Sequence, residues 1–334
     1  MTANYRIPGA PLNRRGMTVV ELLVAIAMIG LLLCILLPAV QMARSSSRRL
    51  HCSNNLRQLV LGCALYHDSF SVFPPLRRIS SVTSCGEATV FSRLFPYVEV
   101  PDLCQLEESE TQHIPQFECP ADGDLRSAPK PLSYTANASP GDGSGSSLRS
   151  PFNSFELVSA RDITDGLSST AGISEDIVVR SKGTRSEGTR QPVKHAWYVS
   201  VPDVSDATRM NPGSPAAIAE RAAQTESSVQ GCVSGPRDFV NLGSPSIGRW
   251  AGHWGSGAQY SHWLPPNAPY CIVSDSLSDP NVFLVHNRRA ASSHTGGVNV
   301  GYMDGHVRFI SDKIAQEAWR SMGTRNGNET VNID

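Results

Sequence analysis

From Met17 to Val40 the chain is apolar at nearly every position, with Thr18 and Glu21 the polar exceptions near its start. At ~1.5 Å per residue this stretch makes a helix of roughly 36 Å, longer than a ~30 Å hydrocarbon core. The pattern then becomes one-sided. Leu56, Leu59, Val60, Cys63 and Tyr66 or His67 recur at steps of three and four, which predicts an amphipathic continuation over 41–70. Ser69–Ser71 and Pro74-Pro75 stop it. The expectation is one helix from Met17 to about His67, roughly 75 Å long, with Pro38 as the place for a bend.

Beyond Phe73 the period shortens to that of strands and turns, so residues 71–334 read as one globular head. Residues 89–106 offer a helix or strand reaching Pro96 and a second short element. Ser133 to Pro151 is a Gly/Ser loop, Asp165-Gly166 a turn, and Ala171 to Val179 a strand. Residues 180–235 form a largely polar, variable excursion. Trp250, Trp254, Tyr260 and Trp263 lie in a turn-rich aromatic loop expected to pack into the body.

The tail, 294–323, is the most regular part. Val298, Val300 and Tyr302 alternate with Asn299, Gly301 and Met303, giving a half-buried strand. Asp304-Gly305 turns it, because glycine accepts the positive φ a two-residue turn needs. His306 to Ile310 returns as its partner, and Ser311 or Asp312 caps a helix running to Met322 and closed by Gly323. The fold class is therefore α+β, a long N-terminal helix followed by a mainly antiparallel β head with long loops.

A net charge of −1 over 334 residues gives no basic face for nucleic acid. Eight cysteines are present, with Cys34 inside the apolar run. Cys52 and Cys63 share the helix ~16 Å apart and cannot bond each other. No C-x-x-C occurs, so zinc ribbons and thioredoxin chemistry are disfavoured. In an exported head, a disulfide or two would be drawn from Cys85, Cys104, Cys119, Cys232 and Cys271.

Three ordinary explanations compete for the N-terminal run. A cleaved secretory signal wants a shorter apolar core followed by a small-residue site, and none follows the run before Ala43. A twin-arginine signal would use Arg14-Arg15 but wants the same site. A plain anchor leaves Glu21 as an unexplained cost of ~2–3 kcal/mol if it lies near the bilayer centre. Arginines flank both ends, so the positive-inside rule does not orient the span.

Arg14-Arg15-Gly16 followed by Met17-Thr18-Val19-Val20-Glu21 resembles the signal of type IV prepilins and pseudopilins. The resemblance implies cleavage after Gly16, removing 1–16 as a leader, and N-methylation of Met17 by a prepilin peptidase. It implies a transmembrane segment over 17–40 and pairing of Glu21 with a neighbouring subunit's amine. Pro38 matches the proline common at the twenty-second mature position. Implied partners are the peptidase, other pseudopilins or further copies, an inner-membrane assembly platform and lipid. The implied location is the cytoplasmic membrane, N-terminus inside and head outside.

His294 and Asp304-Gly305 are similar to the H-x9-D-G element of an uncharacterised bacterial family that carries prepilin-type N-termini. "LHCSNNLRQLVLGCALYHDSFSVFPP", "LFPYVE", "FECPAD", "ITDGLSSTAGISE", "LPPNAPYC" and "WRSMGTRNG" resemble its other blocks. His306 departs from the serine usual there.

Enzyme signatures are lacking. His294, Asp304 and His306 would suit zinc or iron if brought together, yet Asp-Gly is what the turn needs on backbone grounds alone. No G-x-S-x-G elbow, phosphate loop or calcium loop occurs, and Asp162, Asp165 and Asp176 are scattered turn carboxylates. The reading is a pseudopilin-like assembly subunit with no enzymatic activity and no cofactor. The alternatives are a monomeric anchored module binding polysaccharide or protein through Trp250–Trp263, and a hydrolase using His294 and Asp304.

Overall fold

The computed structural model describes residues 18–76, 89–100, 113–122, 131–138, 150–153, 156–177, 259–268 and 289–327, and the backbone alone at 196–200, 238–239, 270–274 and 285–287. The chain divides into two units, Met1–Ser47 and Arg48–Asp334.

Helix α1 spans Val19–Phe70 with Pro38 inside it, and an 18-residue window of mean hydropathy 2.9 is wholly unburied. It is long and apolar enough to cross a membrane. Thr18 and Glu21 close its first turn. The Glu21 carboxylate accepts from the Thr18 N–H at 2.9 Å and the Thr18 hydroxyl at 3.0 Å, and the Glu21 N–H donates to Thr18 Oγ1 at 3.3 Å. This is a capping box, which satisfies N–H groups a helix start leaves without partners.

In the second unit the same helix presents Cys52, Asn55, Leu56, Leu59, Val60, Gly62 and Cys63 to the core, the stripe its spacing predicts. After α2 (Val90–Arg93) and single 3-10 turns, the strands are β1 (Tyr134–Asn137), β2 (Ala171–Glu175), β3 (Ala196–Ser200), β4 (Asp238–Phe239), β5 (Gln259–Tyr260), β6 (Tyr270–Ser274), β7 (Val285–Asn287), β8 (Gly297–Tyr302) and β9 (Val307–Ser311). Helix α3 (Gln316–Met322) follows. A five-stranded sheet runs β5-β1-β2-β8-β9 and a four-stranded sheet runs β4-β3-β6-β7. All pairings are antiparallel except β1 with β5 and β3 with β6, so the sheets are mixed but mainly antiparallel.

The five-stranded sheet is covered on both faces. One face packs Ala136, Ile173 and Met303 against Leu56, Leu59 and Val60 of α1. The other packs Val298, Val300 and Tyr302 against Tyr260, Trp319 and Met322. Strand β8 is thus buried along its whole length, where alternation alone predicts a half-buried strand. Gly301 explains the difference. A Cβ there would stand 2.7 Å from Val60 Cγ1 and 3.2 Å from Leu56 Cγ, so only glycine lets the helix lie this close to the sheet.

The turn falls at the dipeptide but is one residue longer than expected: Tyr302 N–H donates to His306 O and Gly305 N–H to Tyr302 O, so Met303, Asp304 and Gly305 form a three-residue loop with Gly305 at φ +96°. The helix cap is not where the sequence predicts it. Helix α3 begins after Ala315, whose side chain makes no capping bond. Ser311 and Asp312 instead shape the turn leaving β9, where Ser311 Oγ accepts the Lys313 N–H and Asp312 N–H donates to Gly296 O.

Under α3, His262 is fully buried 4.0 Å from the Trp319 ring. Its Nδ1 lies 2.6 Å from Trp319 O, a pure acceptor, so Nδ1 carries the proton and Nε2 accepts from the Tyr260 hydroxyl at 3.0 Å. Burial pushes its pKa down to about 3, with the Trp319 carbonyl opposing weakly. An unfolded histidine takes its proton near ~6.5. Stability from this group is therefore complete above about pH 6.5 and is lost progressively as pH falls toward 3, by up to a few kcal/mol. Urea midpoints at pH 7, 5 and 4 should fall more steeply for the native chain than for His262→Gln.

Candidate functional site

The side-chain grouping with most chemical content lies on the α1 side of the sheet. Cys52, one turn before Leu56 on the buried stripe, is disulfide-bonded to Cys119 across 67 residues. The two segments are held in register by Asn55, whose Nδ2 donates to Pro115 O at 2.9 Å and Glu118 O at 3.0 Å. The Tyr134 hydroxyl donates to Cys52 O at 3.1 Å. In the chain-entropy view, closing a loop of this length is worth about 4 kcal/mol.

Glu175 ends β2 and is 1% exposed. Asn299 on β8 grips its carboxylate twice, backbone N–H to Oε2 at 2.9 Å and Nδ2 to Oε1 at 2.8 Å. His294 enters just before β8, its N–H donating to Ser292 Oγ at 3.0 Å. Its Nε2 stands 3.4 Å from Glu175 Oε1 and 3.7 Å from Cys119 Sγ. The cysteine sulfurs, Glu175 and His294 thus offer four ligand atoms within 4.8 Å of one another. The Tyr134 hydroxyl is held well above its ordinary pKa by burial, with the Glu175 charge adding to it, so it serves as a neutral donor.

Each of the four residues comes from a different stretch that carries the family resemblance: Cys52 from "LHCSNN", Cys119 from "FECPAD", Glu175 from "AGISE" and His294 from the H-x9-D-G element. Two further stretches meet elsewhere. Asp165 Oδ2 accepts the Gly327 N–H at 2.6 Å and the Thr324 hydroxyl at 3.3 Å.

Residues 41–317, more than four fifths of the chain, match the family model described as a protein of unknown function, DUF1559. The chain belongs to the DUF1559 family. No curated protein and no solved structure matches it.

In this DUF1559 member the H-x9-D-G residues are not one site. β8 lies between them, and its six residues span ~20 Å. His294 stands at the Glu175 end of β8, whereas Asp304 N–H donates to Leu167 O before the other end of β2. A centre joining His294 to Asp304 and His306 is therefore ruled out by strand length. Asp304 Oδ1 accepts the His306 backbone N–H at 3.1 Å and lies 2.6 Å from His306 Nδ1. A serine at that position could donate to the same carboxylate, which gives the His306 departure a physical reading.

Among the cysteines named from sequence, Cys119 is bonded, but its partner is Cys52, which that set left out. Cys85, Cys104 and Cys232 lie outside the described residues, as does the Cys271 side chain. Cys34 and Cys63 are free thiols, and burial drives the Cys63 pKa upward, so it acts as a small apolar side chain. Of the aromatic loop, Tyr260 is buried and Trp263 lies under the Arg320 guanidinium at 4.9 Å, both packing roles. Trp250 and Trp254 lie outside the described residues, as do Gly16 and Met17.

Proposed function

We propose that this chain is a pseudopilin-like structural subunit, anchored by α1 in the cytoplasmic membrane and assembled through that helix with further subunits. The observation that carries the reading is Glu21 in the first turn of a helix whose following residues, from Leu22 to Val40, are apolar and almost entirely exposed. Exposed apolar side chains on this scale call for lipid or neighbouring helices. A carboxylate among them is tolerable when a cation neutralises it.

Both capping bonds to the carboxylate fall on Oε2 of Glu21, so the cap is compatible with a second partner on Oε1. In this reading a prepilin peptidase cuts after Gly16 and methylates Met17, leaving a cationic amine one residue before the helix cap. An assembly platform then passes the subunit into a secretion-type or pilus-like structure, with 1–16 cytoplasmic and the head outside.

Intact-protein mass spectrometry of the chain from its native membrane tests the processing. The expected mass begins at Met17 with one added methyl group. A full-length mass overturns the proposal and leaves an unprocessed anchored module.

A further inference from the structure

We propose that the Cys52, Cys119, Glu175 and His294 cluster holds an alternative to its own disulfide: in the dithiol form it binds one zinc-type divalent cation, so metal and disulfide exclude each other. Two of the ligand-to-ligand distances already fit. A tetrahedral ion with Zn–S of ~2.3 Å and Zn–N and Zn–O of ~2.05 Å needs an S–N edge of roughly 3.6 Å and an N–O edge of roughly 3.3 Å. The cluster shows 3.7 Å between Cys119 Sγ and His294 Nε2, and 3.4 Å between His294 Nε2 and Glu175 Oε1. The sulfurs must separate, to roughly 3.8 Å, once their bond is broken.

The surroundings suit a metal as well. Two thiolates, one imidazole and one carboxylate are zinc ligands with no fifth donor required. Asn299 fixes the carboxylate with two hydrogen bonds, as a supporting residue of a metal site does. A dication bound by two thiolates, one imidazole and one carboxylate sums to −1, so the metal offsets most of the charge its ligands bring together.

The steps balance. A dithiol reductant gives two electrons and two protons to the Cys52–Cys119 bond, yielding two thiols and its own disulfide. The cation then displaces both thiol protons as two thiolate–metal bonds form. Reoxidation by a disulfide-bearing oxidant removes two electrons from the thiolates, restores the S–S bond and releases the cation.

The test uses the full chain in detergent, reduced anaerobically with an excess of dithiol, desalted and titrated with Co²⁺. One Co²⁺ per chain is expected, with thiolate-to-cobalt charge-transfer absorption and tetrahedral visible bands, both displaced by Zn²⁺. His294→Ala and Glu175→Gln should each weaken binding by about tenfold or more. Cys63→Ser should leave the spectrum unchanged. Because the variants could unfold, the native chain carries a second readout: Zn²⁺ should protect Cys52 and Cys119 from alkylation, as mapped by mass spectrometry. A reduced chain that takes up no stoichiometric cobalt, folded or not, overturns the proposal. So does alkylation of Cys52 and Cys119 that zinc leaves unchanged.

Discussion

Replacing Trp319 by alanine is expected to lower the stability of the second unit by about 3–5 kcal/mol, among the largest effects of any single truncation in this core. Trp319 is fully buried, lies 4.0 Å from the His262 ring and 6.5 Å from the Tyr260 ring, and donates Nε1–H to Leu264 O at 2.8 Å. Alanine removes the largest side chain from one face of the five-stranded sheet and leaves a cavity beside the His262 and Tyr260 rings. Trp319→Phe separates the terms. It keeps much of the volume but strands the Leu264 carbonyl, so a loss of about 1–2 kcal/mol is expected. Denaturant midpoints of the full chain in detergent should rank native, Phe, Ala, and an alanine variant within about 1 kcal/mol of native would remove Trp319 from the centre of this core.

The second large effect concerns Glu21, which has two possible jobs. In the helix it closes a capping box with Thr18. In the proposed assembly it neutralises a neighbour's amine. Glu21→Gln keeps the cap, since glutamine serves equally at that position, and removes the charge. Thr18→Ala does the reverse. If the charge is what assembly uses, Glu21→Gln should weaken subunit addition by ~30-fold or more, the equivalent of at least ~2 kcal/mol for an uncompensated amine in lipid. Thr18→Ala should cost only ~1 kcal/mol of helix stability. Sedimentation or crosslinking of assembled material from membranes checks both, and a loss confined to Thr18→Ala, with Glu21→Gln assembling like the native chain, would mean that the cap, not the charge, is what matters.

Much of this architecture was legible because its signals are periodic and local. The stripe from Leu56 to Cys63 and the Val298-to-Ile310 hairpin follow directly from spacing and from one Asp-Gly dipeptide. Burial of both faces of β8 was not, because alternation cannot show that Gly301 admits a helix on the polar-looking side. The Cys52–Cys119 bond was also hidden. It joins segments 67 residues apart, and nothing local pairs them. A clue was present all the same, since Cys52 lies four residues before Leu56 on the predicted buried stripe. The capping box is equally readable in the sequence, as Thr-x-x-Glu ahead of an apolar run.

The Cys52–Cys119 bond also sets how the molecule bears load. Tension applied through the N-terminal part of α1 reaches Cys52 and crosses to Cys119 through covalent sulfur, short-circuiting the 67-residue stretch between them. The half of α1 that seats on the sheet, and α2 after it, therefore carry none of that force and cannot be unwound by it. Pulling strains instead the chain beyond Cys119, where β1 is the first strand it meets, held between β5 and β2 in the five-stranded sheet.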